Sequence, residues 1–323
     1  IDPSVKIDNN RNFIINEKKY GKLNGFTLKL DQNVFSHSLF SLSHVKKSIR
    51  NMFEEKVNNF LKAPNDSINL GNISSINIKE KIKLFWGDEQ IGFLSKGNKI
   101  YSPVAEAFNS EYLSSENKLL VSSKLQNWLD LKIEDELKLL KNAIDDNISS
   151  ETRAITYNVF EKLGTLQIED YSNFLKNIDS DSKSKLSKLG IRIGAKYFFM
   201  PNLLKKSSME LCAVLWSVFN ESSFDGNLPL PKDGRVSFIP DVQMPEEYWP
   251  AIGYINLNNF ALRVDVFERI FFMARQKIKK GPFLESADLM NPVGCNSNQL
   301  KDILLFCGFS SIKLGDEKKL FFI

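Results

Sequence analysis

Two stretches near the front of the chain read as copies of one unit, and this repeat constrains the fold more than any other feature. The first is NFIINEKKYGKLNGFTLKL, beginning at Asn12, followed by a helical stretch from about Ser43 to Leu61. The second is KIKLFWGDEQIGFLSKGNKIYSP, beginning at Lys81, followed by a long helical stretch from about Ser115 to Ile144. Each has an apolar strand, a polar turn (NEKK or GDEQ), then an aromatic or Ile before Gly, as in Tyr20-Gly21 and Ile91-Gly92. Polar turns between apolar runs predict short hairpins. The glycines are expected to relieve tight backbone positions at strand ends. In the second helix Leu125, Trp128, Leu129, Ile133, Leu137, Leu140 and Ile144 recur mostly at three- and four-residue steps, so one face is buried.

Further along, IRIGAKYFFMP followed by a helix from about Leu203 to Phe219 suggests a third, diverged copy. AIGYINLNNFALRVDVFERI suggests a fourth, with Asn258-Asn259 as the turn and Asp265 starting a helix. Shorter helices are expected over about Glu151 to Leu163 and Tyr171 to Ile178, and the polar run DSDSKSKLSKLG reads as a short solvated helix. The last sixty residues run helix, short helix, turn, helix (Ser297 to Cys307) and then SSIKL and KKLFFI as a hairpin. That is the order of a winged-helix module. The expected fold is α+β: repeated small hairpin-plus-helix units ending in a winged-helix-like module. Four parts follow: a first unit at 1–64, a second at 65–148, a helical segment with the third unit and a proline-rich loop at 149–260, and the winged-helix-like part at 261–323.

The 323 residues, 42% hydrophobic and 25% charged, describe a folded chain too long for one ordinary core. A net charge of +4 does not demand a polyanionic partner. Most basic residues are Lys, alongside abundant Asn and Ile, a pattern that suits an A+T-rich genome and weakens any argument from Lys enrichment alone. From Ala261 onward, 10 Lys and Arg face 7 Asp and Glu, so this tail carries +3 of the total. In a winged helix the third helix enters a groove and the hairpin touches the backbone. Lys301 on that helix and Lys313, Lys318 and Lys319 on the hairpin are therefore candidate phosphate contacts. Arg192, Lys196, Lys205 and Lys206, around the third unit, join them. A second reading stays open, because winged helices also serve as protein–protein or scaffold modules.

Catalytic signals are absent. Gly190 and Gly194 are followed by Ala-Lys-Tyr, so there is no G-x-x-x-x-G-K-[ST] loop, and no G-x-G-x-x-G opens a helix. Asp88-Glu89 sits in an expected hairpin turn, where solvation explains it. His37 and His44 have no orienting partner in sequence, and no Cys or His spacing suits a metal. Cys212 and Cys307 read as small buried hydrophobes. An odd cysteine count, with Cys295 the third, and no signal peptide point to a reducing, cytoplasmic setting. Lys205, Lys206 and Glu210 interrupt the most apolar run, so no membrane span is expected.

Taken in order, YGKLNGFTLKL, IGFLSKGNKIYSP, LQNWLDLKI, LGIRIGAKYFFMPNLLKKSSMELCAVLW, LPLPKDGRVSF, AIGYINLNNFALRVDVFERI and KKGPFLES resemble one family along essentially the whole chain. It is similar to the C-terminal half of the helicase-related proteins of alphaproteobacteria, superfamily 2 ATPases allied to the mitochondrial RNA helicase of the RNA-degrading complex. The resemblance implies an accessory region without a catalytic or cofactor residue of its own. ATP and Mg would belong to RecA-like motor domains N-terminal to this region, and the start at Ile1 fits a chain lacking them. The implied partners are RNA or DNA and those motor domains. The competing class is a structural or interaction module docking on the motor domains or another protein, without nucleic-acid affinity.

Overall fold

The computed structural model describes residues 5–31, 42–138, 150–220, 226–258, 260–313 and 320–323. The chain divides into two compact units, one of residues 1–76, 80–132 and 218–221, the other of 77–79, 133–217 and 222–323. The class is α+β, with antiparallel sheets of three or four strands.

In the first unit the repeat is visible strand by strand. Strands β1 (Val5–Ile7), β2 (Asn12–Ile15), β3 (Lys18–Asn24) and β4 (Thr27–Leu30) form a meander followed by helix α1 (Leu42–Lys62). Strands β5 (Ile68–Asn69), β6 (Lys83–Trp86), β7 (Glu89–Ser95) and β8 (Val104–Ala107) form a second, followed by α2 (Ser115–Glu136). The registers coincide at a shift of 71 residues (13 to 84, 21 to 92). Phe13 faces Gly21 as Leu84 faces Gly92, and Ile15 faces Lys18 as Trp86 faces Glu89. Each hairpin skips one residue, Tyr20 or Ile91, in a β-bulge at the same place, which bends the strand and increases its twist.

The repeated glycines have a different purpose from the sequence expectation. Gly21 and Gly92 lie inside β3 and β7 rather than at strand ends, and neither has a positive φ. What they supply is close approach. A Cβ on Gly21 would lie 2.3 Å from the Lys29 carbonyl oxygen, and one on Gly92 would lie 2.4 Å from that of Glu106.

Core side chains of this unit alternate along the strands and step along one helix face. Phe13, Phe26, Phe53, Phe60, Leu84, Ile91, Leu125 and Leu129 are all at most 1% exposed. Phe60 meets Phe26 and Trp86 edge-on, with ring centroids 5.9 and 5.3 Å apart. The expected buried face of α2 holds for Leu125, Trp128, Leu129, Ile133 and Leu137, while Leu140 and Ile144 lie outside the described residues.

Polar groups join the two copies. The Lys124 ammonium on α2 donates to the carbonyls of Phe60 (2.8 Å), Leu61 (3.0 Å) and Ala63, closing the C-terminal end of α1. A cation there also complements the helix dipole. Glu89, expected in a solvated turn, is instead mostly buried. Its carboxylate accepts the Gly25 N–H at 2.9 Å and pairs with Lys56, while Arg11 pairs with the exposed Asp88 beside it. The Asn24 side chain accepts the Gln90 N–H at 3.1 Å. These bonds tie the β3–β4 turn of one copy to the β6–β7 turn of the other.

In the second unit, helices α3 (Ser150–Glu161), α4 (Ser172–Asn177) and α5 (Ser180–Lys188) accompany strand β9 (Thr165–Gln167). The polar run is a helix as expected, capped by Asp179 accepting the Ser182 N–H at 2.7 Å, and it is anchored by fully buried Leu186. Strands β10 (Arg192–Ile193) and β11 (Tyr197–Phe199) pair as read, with β9 added on the far side of β11. Tyr197 to Met200 are buried, and Pro201 opens a 3-10 turn ahead of α6 (Lys206–Asn220). Strand β12 (Ser237–Phe238) and helix α7 (Tyr248–Ala251) precede the hairpin of β13 (Tyr254–Leu257) and β14 (Phe260–Arg263). These two later sheets have three strands, and neither pairing carries the bulge of the first two copies.

Helix α8 (Val264–Ile278) begins one residue before Asp265. Asp265 is not its cap. It sits in the first turn, where its charge suits the dipole, held bidentately by Arg263 at 2.6 and 3.0 Å. Then come β15 (Phe283–Leu284), α9 (Ala287–Met290), α10 (Ser297–Cys307), β16 (Ser311–Lys313) and β17 (Leu320–Phe322), with sheet order β15-β17-β16. This order is the winged-helix-like one expected. Asn296 and Gln299 cap α10 reciprocally, and Gly308 ends it at φ 96°.

Replacing Gly21 or Gly92 by Ala should each cost about 1–3 kcal/mol of stability, because a backbone oxygen stands in the way of the new methyl. The check is the thermal unfolding midpoint followed by circular dichroism. Unchanged midpoints would show that the strand spacing is slack.

Candidate nucleic-acid interface

Helix α8 has two faces. Val264, Phe267, Ile270 and Ala274 step along the buried one, into a core shared with Tyr197, Phe199, Ile255, Leu300 and Phe322. Arg269, Phe272, Arg275, Gln276 and Lys279 lie on the exposed one, at three- and four-residue spacing. Between the exposed face and the β10–β11 hairpin opens a cleft of about 750 Å³, lined also by Arg192, Ile193, Gly194, Ala195 and Phe199.

Besides this shared core, one carboxylate ties the hairpin backbone to the helix. Glu268, 7% exposed, accepts three consecutive backbone N–H groups: Ala195 at 2.5 Å, Lys196 at 2.8 Å and Tyr197 at 2.8 Å. A carboxylate in such a ring of amides occupies the position an anion takes in a backbone nest. Gly194 makes the approach feasible, since a Cβ there would lie 2.3 Å from the Glu268 carboxyl carbon. Gly194 of LGIRIGAKYFFM therefore serves a carboxylate of the chain itself. Burial holds the Glu268 carboxyl above its ordinary value, and the three amides and Lys196 pull against that shift.

Four cations border the cleft: Arg192, Arg269, Arg275 and Lys279. All four are exposed, and none forms an ion pair among the described residues. The two acidic residues of the lining are already engaged, Asp265 by Arg263 and Glu268 by the hairpin amides. Arg275 also lies over the Phe271 ring, 5.8 Å from its centroid. Phe272, 62% exposed, stands between Arg269 and Arg275 on the same face. The cleft thus combines uncompensated positive charge with an accessible aromatic surface.

Of the residues singled out in the sequence, the structure brings Arg192 and Lys196 to this hairpin. Arg192 is exposed in the cleft lining. Lys196 is committed elsewhere: its ammonium donates to the Phe306 carbonyl at 2.8 Å and lies over the Phe306 ring, tying the hairpin to the end of α10. Lys205 and Lys206 are exposed near the start of α6, where Lys206 pairs with Glu210 at 4.0 Å, and Lys301 is half-buried on α10. None of these three lines the cleft. Lys313 lies in β16 with its side chain outside the described set, and Lys318 and Lys319 fall outside the described residues. His44 is exposed, His37 is outside the described residues, and Cys212 and Cys307 are buried as read. Among the described residues no cluster of His, Cys, Asp and Glu could hold a metal, and no helix is long and apolar enough to cross a membrane.

Sequence reasoning missed Arg269, Phe272, Arg275, Gln276, Lys279 and Glu268. A signal for the two arginines was present. Only eight Arg occur in the chain, and three fall between Arg263 and Arg275. Replacing Glu268 by Ala should lower stability by about 2 kcal/mol or more, because buried amides lose their acceptor. Glu268→Gln, which keeps one oxygen, should cost less. Denaturant midpoints of the two variants check the order, and equal midpoints would show that the amides find another acceptor.

No protein-family model matches the chain, and neither the curated proteins nor the solved structures include a match.

Proposed function

We propose that this chain contacts nucleic acid through the cleft between α8 and the β10–β11 hairpin, as an accessory region of an ATP-dependent helicase. The observation that carries the contact is the convergence of Arg192, Arg269, Arg275 and Lys279 on one cleft with its own carboxylates neutralised or engaged. Exposed guanidinium and ammonium groups that form no ion pair among the described residues suit phosphate oxygens, and neutralising phosphates releases counterions. Such contacts position a strand without reading its sequence. The helicase parentage rests on the order of sequence phrases along the chain. The reading assigns the chain no chemistry of its own, and it leaves strand separation and ATP hydrolysis to the motor domains that the resemblance implies.

The test is binding of labelled oligonucleotides over a salt series. Arg269→Ala and Arg275→Ala should each weaken binding to any sequence and reduce the slope of log affinity against log salt by about 1. Lys206→Ala, outside the cleft, should change neither quantity. Arginine variants that bind with wild-type affinity and slope would overturn the assignment of this cleft.

A further inference from the structure

We infer that the cleft takes single-stranded nucleic acid in preference to duplex, with Phe272 as the surface on which one base stacks. This inference rests on the phosphate-binding reading of the same cleft and adds to it the chemistry of the base.

The exposure of Phe272 is the starting observation. Its ring is 62% exposed beside a core that takes Phe267 completely, although both belong to the same helix. Exposing a large apolar side chain forgoes burial that would stabilise the fold. Arg269 precedes it by three residues and Arg275 follows by three, so cation, ring and cation alternate along one face at steps of about 4.5 Å of helix rise. A groove that pairs backbone-tracking cations with an aromatic ring is the arrangement by which proteins hold single strands, because every base presents a π-face.

Duplex offers no equivalent. Its base faces are covered by their neighbours, so only the phosphates remain for Arg192, Arg269, Arg275 and Lys279. The ring would then be left facing solvent or the sugar edge. An acidic protein segment could satisfy the cations but would not require a planar partner for Phe272. The geometry therefore favours a strand with exposed bases over both.

The experiment compares short oligothymidylate, an abasic strand of equal length and a duplex, by fluorescence anisotropy over a salt series. The wild-type chain should bind oligothymidylate about tenfold more tightly than the abasic strand. Phe272→Ala should remove that preference while leaving the salt slope unchanged, and Phe272→Trp should retain it. The substituted side chain is exposed, so the variants should keep the wild-type circular dichroism spectrum. If the wild-type chain binds all three polyanions alike, with the expected salt slope, stacking is wrong and the phosphate reading stands. If it binds none of them at low salt, the phosphate reading fails and the stacking inference falls with it. Loss of the base preference in Phe272→Trp as well as Phe272→Ala would also overturn it.

Discussion

The Glu268 carboxylate sets the geometry on which the second unit's cleft depends. Three amide groups of one hairpin would otherwise face a weakly hydrated environment without acceptors. One side chain from α8 meets all three. Burying a carboxylate is costly unless it is fully hydrogen-bonded, and here the amides supply those bonds. Because Glu268 comes from the same helix as Arg269, Phe272 and Arg275, this contact, together with the packing of Tyr197 against Phe267, places the hairpin that carries Arg192 relative to those side chains. Lys196 adds a second tie to α10, again through a carbonyl. The cleft wall is thus held by side-chain-to-backbone bonds, which fix the position of the chain more closely than contacts between flexible side chains would.

Much of the framework was legible in sequence because its signals are local. The two hairpins announced themselves by polar turns and by glycines at matching positions, and α10 runs over the expected Ser297 to Cys307. Tyr197 to Met200 are a continuous apolar run in the sequence, and all four are buried. The reason for Gly21 and Gly92 was not legible, because the obstructing oxygens of Lys29 and Glu106 come from a neighbouring strand. Asp265 looked like a cap because its residue type suits one, yet Arg263 beside it offered a stronger partner.

The candidate interface was only partly legible, for a related reason. Arg192 and α8 lie more than seventy residues apart in the chain, and a search for basic residues in a Lys-rich sequence dilutes the few Arg that matter. Glu268 within ERIFFMARQKIKK reads like one more solvated charge. Only the fold shows that it is buried and that Arg269, one position on, is not. Lys196 illustrates the opposite error. It was a reasonable surface cation by type, and the structure commits it to a helix end.

Lys124 has a consequence for how such a chain is made. The last carbonyls of α1 find their donor in α2, about sixty residues later. During synthesis, α1 would emerge with that end open to water, and its partner would arrive several seconds to about ten seconds afterwards at ordinary translation rates. The Gly25 amide likewise waits for Glu89. The first copy therefore reaches its final hydrogen-bonded form only once the second has left the ribosome, which makes the pair, rather than the single repeat, the unit of biosynthetic folding.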